Sequence, residues 1–308
     1  MYKFVIKRIL MLIPVLLGVM FVVFVLGHLA PGDPARIMLG EAAQPEVIEQ
    51  LREDMGLNDP FLIQYGRFIV SAATGDFGIS YVTRRPVATE VFARFPNTLQ
   101  LAAMGIILAI IIGIPLGIVS AVRQYTAFDF GATFFGLLGV SIPNFWLGMM
   151  MIIFFSVTLR WLPPTGFQEP LQWIMPTIAI GTGSCAIIMR MTRSSMLECV
   201  RQDYIRTARA KGQKERIVIF KHALRNALIP VITVAGLQFG FLLGGAILTE
   251  TIFAIPGLGS MLVSAINNRD FAVVRGGVLL IAVSFTVVNL AVDILYAFID
   301  PRIRSQYK

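Results

Sequence analysis

Six apolar runs, each about the length a helix needs to cross a lipid bilayer, dominate this chain of 308 residues. A hydrocarbon core about 30 Å thick is crossed by roughly 20 residues of α-helix. Runs of that order occur near Ile9–Leu29, Leu99–Val122, Phe130–Leu159, Leu171–Met191, Leu228–Ile252 and Val273–Ile299. Lipid offers the backbone no hydrogen-bond partner, so each run must satisfy its own N–H and C=O groups, as an α-helix does. Charged residues make up 14% of the chain, against roughly a quarter in soluble domains. The prediction is an all-α, polytopic membrane protein with six transmembrane helices. Lys3, Lys7 and Arg8 precede the first run in the manner of a secretory signal. That run, however, exceeds the usual apolar core of about 7–15 residues, and no small-x-small cleavage site appears before Pro31, so it reads as a retained helix.

Lysine and arginine set the orientation, because short cytoplasmic loops retain them. Region 190–225 holds ten basic residues against Glu198, Asp203 and Glu215, whereas segment 31–97 holds six basic and nine acidic residues. Lys3, Lys7 and Arg8 at one end and Arg302, Arg304 and Lys308 at the other are basic as well. Both termini and the 195–227 loop are therefore expected in the cytoplasm, with segment 31–97 outside. The division is 1–30 for the N-terminus and first helix, 31–97 for the external segment, and 98–308 for the core of helices two to six. The net charge of +8 sits mostly beside membrane ends and calls for no nucleic acid. In segment 31–97, Pro45 is expected to open a helix with Ile48, Leu51 and Met55 on its apolar side and Gly56 at its end. A second helix carries Phe61, Tyr65, Phe68 and Ile69, and the segment reads as a cap resting on the bundle.

The run from Asp203 to Pro230 is basic, partly apolar, and set between two membrane-length runs. Asp203 is placed to cap a short helix and Gly212 to end it in a left-handed turn. A second helix follows, with Ile217, Phe220 and Leu224 expected as its apolar stripe and Arg216, Lys221 and Arg225 in water. Such a loop is built to touch a partner.

Within the apolar runs, Gly113 and Gly117, then Gly236, Gly240 and Gly244, recur at four-residue spacing, which suits close helix packing. Pro115, Pro143 and Pro176 each remove a backbone donor, so the freed carbonyls should face protein or a wet cavity. Thr286, Asn289 and Asp293 share one face of the last helix. They read either as a pore wall or proton site, or as an interhelical clamp, and the clamp is preferred. Gln238 is the stronger pore-lining candidate, while Glu250 reads as interfacial. His28 and His222 lie near opposite faces and cannot share a metal. Cys185 and Cys199 read as free thiols without a function. No metal-ligand set is read. The chain has no Gly-Lys dipeptide and hence no GxxxxGK[ST] phosphate loop, and HExxH, paired CxxC and GxSxG are absent. An enzyme is not expected.

Arg206-Thr207-Ala208-Arg209-Ala210-Lys211-Gly212 resembles the cytoplasmic EAA loop of bacterial ABC importer permeases, in the form typical of the dipeptide and oligopeptide branch. The likeness extends over nearly the whole chain, through Pro31-Gly32-Asp33-Pro34, Gly75-Asp76-Phe77-Gly78, Arg190 to Glu198, Pro256-Gly257-Leu258-Gly259 and Asp300-Pro301-Arg302. The general loop pattern begins with Glu where this chain has Arg206. The resemblance implies a type I ABC importer permease fold in the bacterial inner membrane, a second related permease chain, two cytoplasmic ATPase subunits and an external substrate-binding protein. It also implies that the chain binds no cofactor, that the partners hydrolyse ATP, and that Asp203 and Arg206 to Gly212 form the ATPase-docking loop. Dipeptides, oligopeptides and glutathione are the implied substrates, and nickel chelates are an alternative. The short Arg160 to Pro170 connection resembles that of the compact dipeptide and glutathione members. The rival from another class is a secondary transporter coupled to protons through Asp293.

Overall fold

The computed structural model describes residues 2–29, 31–40 and 42–299; Asp300-Pro301-Arg302 and the basic tail lie outside them. Apart from one antiparallel bridge between Ile79 and Pro86, regular structure among the described residues is helical. In chain order the helices are α1 (Tyr2–Leu29), α2 (Pro34–Leu39), α3 (Pro45–Asp54), α4 (Phe61–Ala73), α5 (Val87–Val122), α6 (Ala127–Ser141), α7 (Asn144–Met151) and α8 (Pro170–Val200). They continue with α9 (Asp203–Ala210), α10 (Glu215–Ile217), α11 (Leu224–Gly245), α12 (Ile247–Ile252), α13 (Leu258–Asn267) and α14 (Phe271–Ile299). A π-turn extends α7 over Ile152–Thr158, and another joins α10 to α11 over Val218–Ala223.

Five helical spans are long and apolar enough to cross a membrane: α1, α5, α8, the continuous Glu215–Gly245 rod, and α14. The third apolar run, expected as one crossing, is instead α6 and α7 meeting at 98°, and it makes a sixth span when the bent pair is counted as one. Pro143 explains the break. It lacks an N–H and disfavours helical geometry in the residue before it, and Ile142 is extended at ψ 121°. Pro143 thus sits at the entry to α7, while Pro115 and Pro176 lie inside α5 and α8.

Helices α5 and α8 form the centre. A Cβ on Gly113 would lie 2.8 Å from the Cys185 carbonyl, and one on Gly117 2.6 Å from that of Met189. The two backbones touch, and only glycine permits it. Around this seam Leu101, Met175, Ile180, Ile188, Val231 and Leu242 are buried in one apolar cluster. Close packing therefore accounts for these glycines.

Segment 31–97 rests on the ends of α1 and α14. Helix α3 starts at Pro45, buries Ile48, and ends at Gly56 with φ +64°. Phe61, Tyr65 and Phe68 of α4 surround Phe24 of α1 at ring separations of 5.2, 5.5 and 5.7 Å. The segment's last turn is fixed to α14: the Ser80 hydroxyl and the Tyr81 N–H both donate to the buried Asp270 carboxylate.

Candidate functional site

The 195–227 loop lies at the far end of α5 from segment 31–97. Helix α5 begins at Val87, inside that segment, and its last turns, at Ile118 and Ala121, join the loop's buried cluster. Its 36 residues span about 54 Å at 1.5 Å each, more than a hydrocarbon core. The loop and the segment accordingly lie on opposite sides of the bundle.

Helix α9 turns Ile205 and Ala208 inward against Met196 of α8, Val218, Ile219 and Ala223 of the π-turn, and Ala227 of α11. Gly212 has φ +74°, its N–H donates to the Arg209 carbonyl, and the Gln213 N–H donates to that of Ala208. This pair of bonds closes the helix end and reverses the chain. Arg209 then grips Glu215 through two bonds of 2.6 and 3.1 Å, which joins the two loop helices across the turn.

Asp203 is not the cap. Gln202 occupies that position, and Asp203, at the first helical residue, faces Arg206 at 3.6 Å in solvent. Its side chain accepts no hydrogen bond from the helix's first N–H groups, although a carboxylate in the first turn suits the helix dipole. The expected apolar stripe of the second helix is also corrected. Val218, Ile219, Ala223 and Ala227 are buried, whereas Ile217 and Phe220 are 40% and 54% exposed. The π-turn accommodates an extra residue and rotates the face away from regular α spacing. Arg206, Thr207, Arg209, Ala210, Lys211 and Gly212 are exposed, and Ala208 is the inward member of the set. Ile217, Phe220 and the 41%-exposed Tyr204 add apolar area to the loop's outer face.

Immediately above the loop, Arg193 of α8 holds Asp129 of α6 in a two-pronged pair at 2.7 and 2.8 Å. Ser120 of α5 donates to the same carboxylate and the Tyr125 N–H reaches it at 3.0 Å. Three helices are thereby fastened at the end that carries the loop.

Residues 113–305 match the family described as the inner membrane component of binding-protein-dependent transport systems, and residues 1–102 match its N-terminal membrane component. The chain belongs to this family. The dipeptide transport system permease protein DppB of Alkalihalophilus pseudofirmus is 47% identical over 99% of this chain and 100% of its own length. The glutathione transport system permease protein GsiC of Escherichia coli is 45% identical over 99% of each chain. Among solved structures, an inward-facing MetNI methionine ABC transporter chain aligns with TM-score 0.57 at 20% identity, covering 68% of this chain and 96% of that one. The fold is that of type I ABC importer permeases.

In this permease the polar stripe of α14 is not one connected network. Asp293 pairs with Arg8 of α1 at 3.1 Å. The Thr286 hydroxyl donates to the Ala282 carbonyl of its own helix, and the Asn289 Oδ1 is buried without a hydrogen-bond partner. Gln238 is half-buried on α11. Glu250 does not face solvent or lipid. It is fully buried, accepts from the Thr98 hydroxyl at 2.6 Å and from the Ser260 N–H at 3.0 Å, and so ties α12 to α5 and to the start of α13. Sequence reasoning missed Asp129 and Arg193. The available signal was an acid at the edge of an apolar run and an arginine in the Arg190 to Glu198 motif, but nothing in their 64-residue separation indicates that they meet.

Proposed function

We propose that this chain is one half of the membrane pathway of an ATP-driven importer of small peptides, with dipeptides and glutathione as the leading substrates. It would work beside a second, related permease chain, receive substrate from a binding protein on the side of segment 31–97, and dock ATPase subunits at the loop. Both termini and the loop would lie in the cytoplasm, in the bacterial inner membrane. The observation that carries the reading is the construction of the loop: one face of α9 is locked into the ends of α5, α8 and α11, and the loop's outer surface presents Arg206, Lys211, Tyr204 and Phe220 to solvent. The relatives at 45–47% identity support the substrate class, since their names specify dipeptide and glutathione transport.

The chain's own part in the mechanism follows from that packing. ATP supplies its free energy by binding one partner state better than the other. A displacement of α9 cannot be absorbed locally, because Ile205 and Ala208 are wedged among Met196, Val218 and Ile219; close-packed interiors transmit strain. The motion passes into α5, α8 and α11, where the Arg193–Asp129 pair carries α6 along. The helices rock, and the pathway opens to alternate sides.

Proton coupling through Asp293 is the weaker reading, because the Arg8 ion pair gives that carboxylate a structural occupation. The test is uptake into proteoliposomes holding the assembled complex. Labelled dipeptide or glutathione should accumulate only with internal ATP and external binding protein, and a proton uncoupler should leave uptake intact. Uptake by this chain alone under a pH gradient would overturn the proposal.

A further inference from the structure

An apolar groove of about 680 Å³ runs between α1 and the α13–α14 corner, lined by Val15, Val19, Val22 and Leu26 on one wall and Ile266 and Val278 on the other. On α1 its lining extends from Val15 to Leu26, which is about 17 Å of helix at 1.5 Å per residue. That matches one leaflet, or about half of a 30 Å hydrocarbon core. At the end facing segment 31–97, Gly27, Phe271 and Arg275 belong both to the groove and to a second, polar pocket of about 850 Å³. An acyl-chain-length trough thus opens into a polar chamber at the membrane boundary.

The chamber is electropositive. Arg36, Arg52 and Arg275 line it against Asp33 and Glu49, an excess of one positive charge over these five groups. Arg52 is engaged by Asp33 and Glu49 at 3.3 and 3.4 Å. Arg275, at the junction, is held differently. It donates to the Tyr81 hydroxyl at 2.9 Å and to the Phe271 carbonyl at 3.3 Å, and its guanidinium lies 5.7 and 5.4 Å from the rings of Phe24 and Phe68. Among the described residues no carboxylate lies within 4.0 Å of it. The two rings and the tyrosine orient the planar cation, and a planar donor fork suits a phosphate oxygen pair.

We propose that groove and pocket together form a binding site for one anionic phospholipid, with an acyl chain between α1 and α14 and the phosphate at Arg275. The bound lipid seals the seam between the first helix and the bundle beside segment 31–97. Its leaflet is the one that this segment faces, so the inference does not depend on which side of the membrane that is.

The test uses the full-length chain purified with its partners, stripped of lipid, and titrated with phosphatidylglycerol, phosphatidylcholine or inorganic phosphate while native mass spectrometry counts retained lipid. The wild type should prefer phosphatidylglycerol over phosphatidylcholine by roughly fivefold or more: both carry the phosphate, but only phosphatidylcholine brings a choline cation into the electropositive chamber. Arg275→Gln should abolish the preference. Gly18 lines the groove and a Cβ there meets nothing within 4 Å, so Gly18→Leu should fill the trough without straining the helix and weaken both lipids. Equal retention of the two lipids by the wild type, a preference surviving Arg275→Gln, or unchanged retention in Gly18→Leu would overturn the proposal. Displacement of phosphatidylglycerol by millimolar inorganic phosphate would also overturn it, assigning the pocket to a soluble anion.

Discussion

The Arg193–Asp129 pair provides the most quantitative test of how the bundle holds together at the loop. Asp129 is 5% exposed and Arg193 27% exposed at the side chain. Removing one member of a buried pair strands the other and typically costs about 3–5 kcal/mol. Two features reduce that figure for Asp129→Ala: Arg193 retains some contact with solvent, and its Nε still reaches the Ser120 hydroxyl at 3.1 Å. We expect a loss of about 2–3 kcal/mol, or roughly a 30- to 150-fold shift in the folding equilibrium. Asp129→Asn keeps an acceptor for Arg193 and for the Tyr125 N–H, and should lose about half as much. The assay is reversible unfolding in mixed micelles with increasing denaturing detergent. Arg193→Met completes a double-mutant cycle. If the pair acts as one unit, the double variant is less destabilised than the sum of the singles by about 1.5 kcal/mol or more. Additivity within about 0.5 kcal/mol would refute the reasoning, because it would mean the two groups do not share an interaction.

Gly212→Val must place a β-branched residue at φ +74°, at a cost of roughly 1–2 kcal/mol; insertion should be normal, ATPase association weakened and uptake lost, while Gly212→Asn should retain most of both. Glu250→Ala leaves the Thr98 hydroxyl and Ser260 N–H without their shared acceptor in a fully buried site, so a loss of about 3 kcal/mol is expected in the same unfolding assay, against little change for a solvent-facing control such as Glu53→Ala. Asp293→Asn breaks an ion pair whose members are 44% and 33% exposed, so stability should fall by less than about 1 kcal/mol and ATP-driven uptake should persist; arrested uptake with intact docking would favour proton coupling. Glu49, bonded to Asn58 at 2.7 Å and to Arg52, lies on the exposed face of α3. Charge reversal of Glu49 and Glu53 to Lys should slow binding-protein association at low salt and matter less near 1 M, where the screening length is about 3 Å. Equal rates at every salt concentration would exclude that face.

Hydrophobic run length alone specified the helical membrane class, because an apolar backbone in lipid has no alternative but to satisfy itself. Local chemistry was equally legible: proline at the start of α3, glycine closing it, and Gly212 reversing the loop are conformational consequences of single residues. Four-residue glycine spacing pointed correctly to helix contact, since the contact follows from the absence of a side chain. The bend at Pro143 lay half in view, because the sequence shows a lost donor but not whether a neighbouring helix will support a continuous rod.

Everything that depends on which residues meet across the fold was decided by tertiary structure. Periodicity put Ile217 and Phe220 inside, but the π-turn shifted the buried face to Val218, Ile219 and Ala223; a one-residue change in winding leaves no mark in the hydropathy pattern. The partners of Asp129, Glu250, Asp270 and Asp293 lie on other segments of the chain, as far as 190 residues away for Ser80 and Asp270. A lone acid in an apolar run announces only that some partner must exist, because an unpaired charge in that medium is costly. Which arginine or hydroxyl supplies it is set by how the helices cross, and the crossing is fixed by the glycine seam of α5 and α8 together with the packing of the whole bundle.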